Sequence, residues 1–545
     1  MSTPGPPPVR RLPLAGVLRA GRPSDIWFKP ALSVVVAVGV PNLTLLALGR
    51  LDLAMYTMAG ALCALYAHNL PYAARSRTLA GLVLGMLASV TIALVTASLT
   101  SSAVVLVTVG ALLAAAQKAL CDATRIGPPG PVIFVFISSA SLFAPQALHQ
   151  VPGHVALAAA AGAWAWLVGM APGLLRPHGP ERRATARALN AAAAYAETRG
   201  TGHGHERTRA AGASAVHAAW QSLLATGARS APRRALERLV VRAEVALAAP
   251  ADTDPERLRA WARALRGTGA VPRVDPAADE LLGVEAELAV GERPLLSRLG
   301  PLLPLALRTA LGCALAGYVS LALGVGRPYW ALVTAASLYQ ANITLTWSRG
   351  IQRVVGNLVG VLLFAAIAPV AHLGPAALVL CCLAFNFGAE ALMSRNYWLG
   401  SVCVTPMALL ITEFAGFQKP GELMTDRVVD TLVGALIGFL AAVAVTNRRA
   451  GDRIEDALAA VEHAREHAAR LVAADRPEAG ALESARRRLA GALVELRATA
   501  DAAAGEWWQR ALPEERVMLA EQAGHRTLAA TVRRQGLHAL GGARA

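Results

Sequence analysis

From position 31 onward the chain is a succession of apolar runs separated by short polar joints, and the runs fall into two groups. The first has cores at 31–48, 53–67, 79–95, 103–116, 132–144 and 155–174, and the second at 305–323, 330–345, 354–368, 376–391, 398–411 and 428–445. A helix needs roughly 20 mostly apolar residues to cross a hydrocarbon layer of about 30 Å. The pattern therefore predicts six spans per group, in an all-α polytopic membrane protein. Its edges are least sharp at the fourth and fifth runs, where prolines at 128–131 and then Ser138, Ser139 and Ser141 intervene.

The joints outside these groups divide the rest. Residues 1–29 read as a polar leader, 30–175 as the first membrane cluster, 176–300 as a charged, Ala-rich helical domain, 301–447 as the second membrane cluster, and 448–545 as a C-terminal helical domain. In the central segment Pro232 opens a helix that puts Leu236, Leu239, Val240 and Leu247 on one face, and Asp254 is placed to cap a helix whose first turn holds Pro255. In the tail Leu458 and Val461, then Leu489, Leu493 and Leu496, recur at helical spacing. The two soluble parts are expected to pack together.

Composition supports the membrane reading: 55% of the 545 residues are hydrophobic and 16% charged. Basic side chains then set orientation. Lys29, Arg75, Arg77, Lys118, Arg125, Arg176 and Arg183 share one side under a six-span layout, as do Arg308, Arg349, Arg353, Arg395 and Arg453; Arg327, Lys419 and Arg427 are the exceptions. The chain is thus expected to be a bacterial plasma (inner) membrane protein, multi-pass, with both termini cytoplasmic. A net charge of +16 follows from this arrangement. It does not point to nucleic acid, since no basic stripe interleaved with aromatics occurs. Of the six cysteines, five fall within apolar runs and Cys121 in a joint, which suits small buried hydrophobes better than disulfides or ligands. No metal spacing, triad or phosphate loop is present, so no cofactor, no metal and no enzyme activity is expected.

The halves resemble one another. Aligning Gly81 and Gly85 with Gly356 and Gly360 brings Arg75 and Arg77 near Arg349 and Arg353, and six spans per copy would give parallel repeats about an axis along the membrane normal. Spacing of four lets Gly81/Gly85, Gly356/Gly360 and Gly434/Gly438 serve close helix packing.

Pro328, Tyr329, Trp330 and Thr334, followed by Arg349, Arg353, Gly356, Asn357 and Gly360, resemble the signature of the FUSC family, the fusaric acid resistance and aromatic acid exporter-like proteins. Asp426, Arg427, Asp430, Thr431 and Gly434 resemble that family's segment in the last span. Asn357 stands where the family has Thr, and the first half lacks the full motif. The resemblance implies transport, the efflux of aromatic carboxylic acids or related organic anions. Its partners would be the lipid bilayer and a small organic anion, with no nucleic acid; self-association into a homo-oligomer stays open.

Residue chemistry fits an anion path. Arg349 and Arg353 lie one helical turn apart at the inner mouth and could grip a carboxylate; plain positive-inside anchoring accounts for them equally well. Trp330 is either an interfacial anchor or a stacking platform. Thr334 belongs to the same candidate path, while Gln340, Asn342 and Asn357 either line it or bond between helices. Glu390 and Glu413 are candidates for proton coupling or simply solvated helix ends. Arg427 and Asp430, three apart, are read as a structural pair at the outer end of the last span. A passive organic-anion channel, and a non-transporting scaffold with partner-binding cytoplasmic domains, are the alternative functions.

Overall fold

The computed structural model describes residues 12–21, 23, 26–198, 203–226, 230–267, 269–273, 299–445, 450–475, 479–504 and 513–542. Of the basic residues used above for orientation, all lie within these ranges; 274–298 of the expected central domain lies outside them.

Every regular element among the described residues is helical. The first membrane group consists of α1 (Phe28–Ala47), α2 (Ala54–Ala61, flanked by the 3-10 turns Leu51–Leu53 and Leu62–Leu65), α3 (Tyr72–Leu99), α4 (Ala103–Ala123), α5 (Val132–Leu142) and α6 (Val151–Met170), with a final turn α7 (Pro172–Leu175). Polar helices follow: α8 (Gly179–Glu197), α9 (His203–Leu224), α10 (Ala231–Ala248) and α11 (Pro255–Arg266). The second membrane group comprises α12 (Leu303–Ala322), α13 (Tyr329–Leu338), α14 (Ile343–Ala371), α15 (Pro375–Met393), α16 (Tyr397–Thr412) and α17 (Pro420–Ala444). Three more polar helices, α18 (Ala450–Ala473), α19 (Ala479–Ala504) and α20 (Glu514–Gly542), complete the fold.

Six elements per group are present, but they are not six equal spans. Among the described residues eight helices are long and apolar enough to cross a membrane; the second and fifth of each group, at Leu51–Leu65, Val132–Leu142, Tyr329–Leu338 and Tyr397–Thr412, are shorter. The expectation of twelve full spans is corrected accordingly. The apolar run at 330–345 shows the reason. Its helix stops at Leu338, and Asn342 starts the next one by accepting a hydrogen bond from the Leu345 N–H at 2.8 Å. At 1.5 Å per residue, ten residues cover about 15 Å, half of the hydrocarbon thickness. Hydropathy cannot see this break, because the interruption is a cap and not a charge.

The two groups repeat one order of long and short helices, and they repeat their neighbours. In each, the first helix packs on the second and sixth, the third on the second, fourth, fifth and sixth, the second on the sixth, and the fourth on the fifth. Across the groups α4 lies on α12 and α1 on α15, a reciprocal pairing of fourth and first helices. The two groups thus share one pattern of neighbours. Long helices turn leucines outward, among them Leu84, Leu112, Leu362, Leu380 and Leu436, as a lipid-facing surface requires. The short α13 is the reverse case, with all ten of its residues buried.

Glycine explains how α13 is enclosed. A Cβ on Gly434 of α17 would sit 2.4 Å from the Ala331 carbonyl oxygen, and one on Gly438 would lie 3.0 Å from Ala335 Cα. On α14, Gly356 and Gly360 admit Ser401 and Thr405 of α16, whose Cβ atoms would stand at 2.5 and 2.6 Å. These four positions meet the packing expectation. Gly81 and Gly85 do not: a Cβ at Gly81 meets nothing within 4 Å, and at Gly85 it makes only an ordinary 3.5 Å contact with Phe134. The first half makes its close approach elsewhere, between Gly60 of α2 and the Ala158–Gly162 turn of α6.

The polar helices form two small bundles, one around Leu189, Leu223, Leu236, Leu239 and Val240, the other around Val461, Leu489, Leu493 and Leu496. Asp254 caps α11 as its position before Pro255 foretells, and Ser230 caps α10, whose start Pro232 marks. The bundles do pack together. Arg486 is ion-paired to Glu244 at 2.9 Å and to Glu483, Arg487 lies 4.0 Å above the Trp220 ring, and the Trp220 indole N–H donates to Glu244 at 2.9 Å. Burial pushes the Glu244 carboxyl above the ordinary carboxylate range, and Arg486 opposes that shift.

Two outcomes follow from this packing. Gly434→Val should cost about 1–3 kcal/mol by overpacking and lower the thermal midpoint of the detergent-solubilised protein, whereas Gly81→Val should leave it unchanged; equal midpoints for the two would contradict the glycine assignment. Arg486→Ala removes the ion-pair partner of Glu244 while Arg487 still holds Glu483, and should cost about 3–5 kcal/mol, read as faster limited proteolysis of the polar helices while the membrane helices stay protected.

Candidate functional site

Below the end of α13 the two membrane groups and the polar layer enclose a continuous cavity of about 3580 Å³. Residues lining it run from Trp220, Glu244 and Arg486 in the polar layer to Ser337, Gln340, Val404, Met407 and Arg427 between the membrane helices. Arginines far outnumber carboxylates along its wall: Arg183, Arg187, Arg209, Arg308, Arg349, Arg353 and Arg427 all contribute, against Asp122, Glu244, Glu390 and Glu495. An opening lined by one sign of charge with low-dielectric walls concentrates counter-ions of the other sign.

Arg349 and Arg353 share one face of α14, as their spacing predicts, and both are directed into the cavity. The Arg349 guanidinium lies 3.7 Å from the centroid of the Tyr397 ring, and Arg353 Nη1 donates to the Tyr397 hydroxyl at 3.1 Å. Arg353 is 4% exposed and its Nε has no hydrogen-bond partner. Lipid anchoring therefore does not describe this pair. Tyr397 was not singled out in the sequence; the nearest signal is its place at the first turn of an apolar run, after a helix-capping Asn396.

The remaining candidates separate. Gln340 lines the cavity. Asn342 serves as the α14 cap described above. Asn357 is an interhelical link, its Oδ1 accepting from Thr405 Oγ1 at 2.6 Å and its Nδ2 donating to the Arg353 carbonyl at 2.9 Å. Thr334 is fully buried against Gly434 and does not line the cavity. Trp330 is also fully buried, which corrects both readings of it: its ring is closed in between the Arg327 guanidinium at 5.5 Å and that of Arg427 at 5.1 Å. Glu390 reaches the cavity wall. Glu413 does not; it is 2% exposed and accepts from His372 Nε2 at 3.0 and 3.2 Å, so it is neither a solvated end nor part of the cavity.

Arg427 and Asp430 are not the pair their spacing suggests. Asp430 Oδ1 accepts from Ser320 Oγ at 2.5 Å, while its Oδ2 and the Nε and Nη1 of Arg427 have no hydrogen-bond partner. Both residues are essentially inaccessible, at 0% and 1% exposure. Arg427 is not at the outer surface but at the closed end of the cavity. The sequence held a signal for this. Arg427, Asp430, Thr431, Gly434 and Gly438 fall on one helical stripe, and a stripe containing the packing glycines faces protein, not lipid.

On the side away from the polar layer the cavity is shut. Arg327 forms an ion pair with Asp426 at 3.0 Å and also donates to Gln418, and Tyr329 packs edge-on against Trp330 and tilted against Phe143, with ring centroids at 5.6 and 5.7 Å. None of these residues lines the cavity. At its opposite side, residues 13–21 form a strap across the start of α14 and the α15–α16 joint. Trp347, Gln352 and Trp398 donate to the carbonyls of Pro13, Val17 and Leu18 at 3.2, 2.8 and 2.9 Å.

A helical membrane protein with an arginine-lined cavity open toward a polar helical layer and closed at its other end belongs among membrane proteins built around an internal site. Residues 314–441, from within α12 to the end of α17, match the family model described as fusaric acid resistance protein-like, which covers the segments whose residues carried the FUSC resemblance. The chain is similar to an uncharacterized membrane protein, YvaC, of Bacillus subtilis (strain 168), with 32% identity over 158 residues, 29% of this chain and 25% of that protein. It is also similar to an uncharacterized protein of Haemophilus influenzae (strain ATCC 51907 / DSM 11121 / KW20 / Rd), with 32% identity over 134 residues, 24% of this chain and 17% of that one. The chain thus spans a quarter or less of the length of these relatives. No solved structure matches it.

Because Asn357 bridges helices without touching the cavity, Asn357→Ala should cost only about 0.6 kcal/mol, the typical worth of a hydrogen bond between membrane helices. A small drop in the thermal midpoint of the detergent-solubilised protein is expected; loss of the folded protein would show that Asn357 does more than link the two helices.

Proposed function

We propose that this protein carries aromatic carboxylic acids or related organic anions out of the cytoplasm. The observation that supports this most is the cavity itself, electropositive from its mouth to its end and walled by apolar side chains such as Val404 and Met407. A carboxylate on an apolar body matches both parts of that lining. The orientation that goes with this reading puts the polar layer and both termini in the cytoplasm, the plasma membrane being the host membrane, because the basic joints lie on the polar-layer side. An anion entering there would then be drawn outward by an inside-negative potential, worth about 2.3 kcal/mol per charge per 100 mV.

The closed end beyond Trp330 favours alternating access over a continuously open channel, since an anion would need Arg327, Asp426 and the Tyr329 cluster to separate before leaving. Arg349 and Arg353 would meet the anion within the cavity. Glu390, on the cavity wall, is the remaining candidate for proton coupling.

Everted membrane vesicles supply the test. Radiolabelled benzoate uptake by the wild-type protein should exceed that of Arg353→Ala by about 10- to 100-fold, the worth of a charge-assisted hydrogen bond of roughly 1.5–3 kcal/mol. Absence of uptake by the wild type, or equal uptake by the variant, would remove the basis for this function.

A further inference from the structure

The most unusual group in the membrane region is Arg427. It sits on α17 at the inner end of the cavity, 1% exposed, with Nε and Nη1 lacking any hydrogen-bond partner and with no ion-pair partner among the described residues. The groups around it come from three helices besides its own: Arg353 on α14, Tyr397 on α16, and Tyr329 and Trp330 on α13. Arg353 repels it, and the aromatic groups carry no charge to neutralise it. On its own helix Asp426 is engaged by Arg327, and Asp430 is held by Ser320. A guanidinium cannot shed its proton in a protein, so an anion must meet it.

We propose that Arg427 is the residue that holds the carboxylate of the transported anion at the closed end of the cavity. This rests on the organic-anion reading above and specifies where within the cavity the anion binds. Trp330 supports the guanidinium at 5.1 Å, which leaves N–H donors directed elsewhere. Nε and Nη1 are buried without an acceptor among the described residues, and a bound carboxylate would supply one. Val333, Ala336, Val404, Met407 and Ala408, from the membrane helices, line the same cavity and would receive the apolar body of the ligand. The site would therefore take a monocarboxylate with a hydrophobic body in preference to an inorganic anion.

Asp430 sharpens the assignment. Its Oδ2 is buried and unpartnered, and it lies one helical turn from Arg427. That carboxylate lies close enough to repel a ligand carboxylate held by Arg427. Substituting Asn keeps an acceptor for Ser320 and removes the repulsion. A merely structural Asp430 would give no gain in ligand affinity on that change.

Equilibrium binding of radiolabelled benzoate to the full chain in lipid nanodiscs, with benzamide as the uncharged control, separates the outcomes. Arg427→Ala should weaken benzoate binding at least 10-fold without affecting benzamide, and Asp430→Asn should strengthen benzoate binding several-fold. Should Arg427→Ala fail to fold, judged by size exclusion and thermal midpoint, Asp430→Asn carries the test alone. Benzoate affinity unchanged in Arg427→Ala, or unchanged or weakened in Asp430→Asn, overturns the assignment. Loss of vesicle uptake in Arg353→Ala with uptake retained in Arg427→Ala would overturn it while leaving organic-anion transport standing, whereas a wild type that neither binds nor moves benzoate would remove the transport reading itself.

Discussion

The architecture of the second membrane group depends on a helix that is too short for its membrane. α13 ends at Leu338 after ten residues, and no lipid-facing position is left on it. Backbone that is not helical cannot face hydrocarbon, since its N–H and C=O groups would lack partners. The stretch 339–342 must therefore lie against protein or a polar cavity, and it does both: the Gln340 N–H donates to Thr346 Oγ1 at 3.2 Å, while the Tyr339 and Gln340 side chains border the cavity. The glycines of α17 hold α13 in place, and the space under its end is the site.

That arrangement explains why so many arginines are tolerated at membrane depth. A charged side chain inside a bilayer is costly unless it reaches water, a partner or a cavity. Arg308 is satisfied by the end of α17, donating to the Val445 carbonyl at 2.7 and 3.0 Å. Arg327 has Asp426. Arg349 and Arg353 share Tyr397, one through its ring and the other through its hydroxyl. The first three kinds of contact each close locally, whereas the buried Arg427 has Nε and Nη1 without a hydrogen-bond partner among the described residues. The cavity is thus graded, with its least satisfied cation at its deepest point.

Much of this was legible in the sequence, and the residues that were not share a cause. Apolar runs gave the number and order of the membrane elements, and Pro232, Asp254 and Pro255 gave helix starts in the polar layer. Periodicity placed Arg349 and Arg353 on one face. What escaped was anything decided by partner choice across helices. Gly81 and Gly85 have the same spacing as Gly356 and Gly360, yet only the latter pair has helix α16 pressed against it. Glu413 reads as a loop-end carboxylate until His372, 41 residues earlier, is seen beside it. Cys121, placed in a joint by the pattern, is buried within α4 because that helix continues past its apolar stretch to Ala123.

The pairing of Arg427 with Asp430 failed for a related reason. Three-residue spacing allows an ion pair on a helix surface, where both side chains are free to swing together. Here neither is on a surface. Asp430 is drawn to Ser320 of α12 and Arg427 toward Trp330 of α13, so each follows a different neighbouring helix. Separation leaves two buried, complementary groups on one helix with unused hydrogen-bonding atoms, an arrangement that is costly if it serves packing alone. A ligand carboxylate held as proposed above would change that balance, because it would give Arg427 the hydrogen-bond acceptor that Asp430, turned to Ser320, does not.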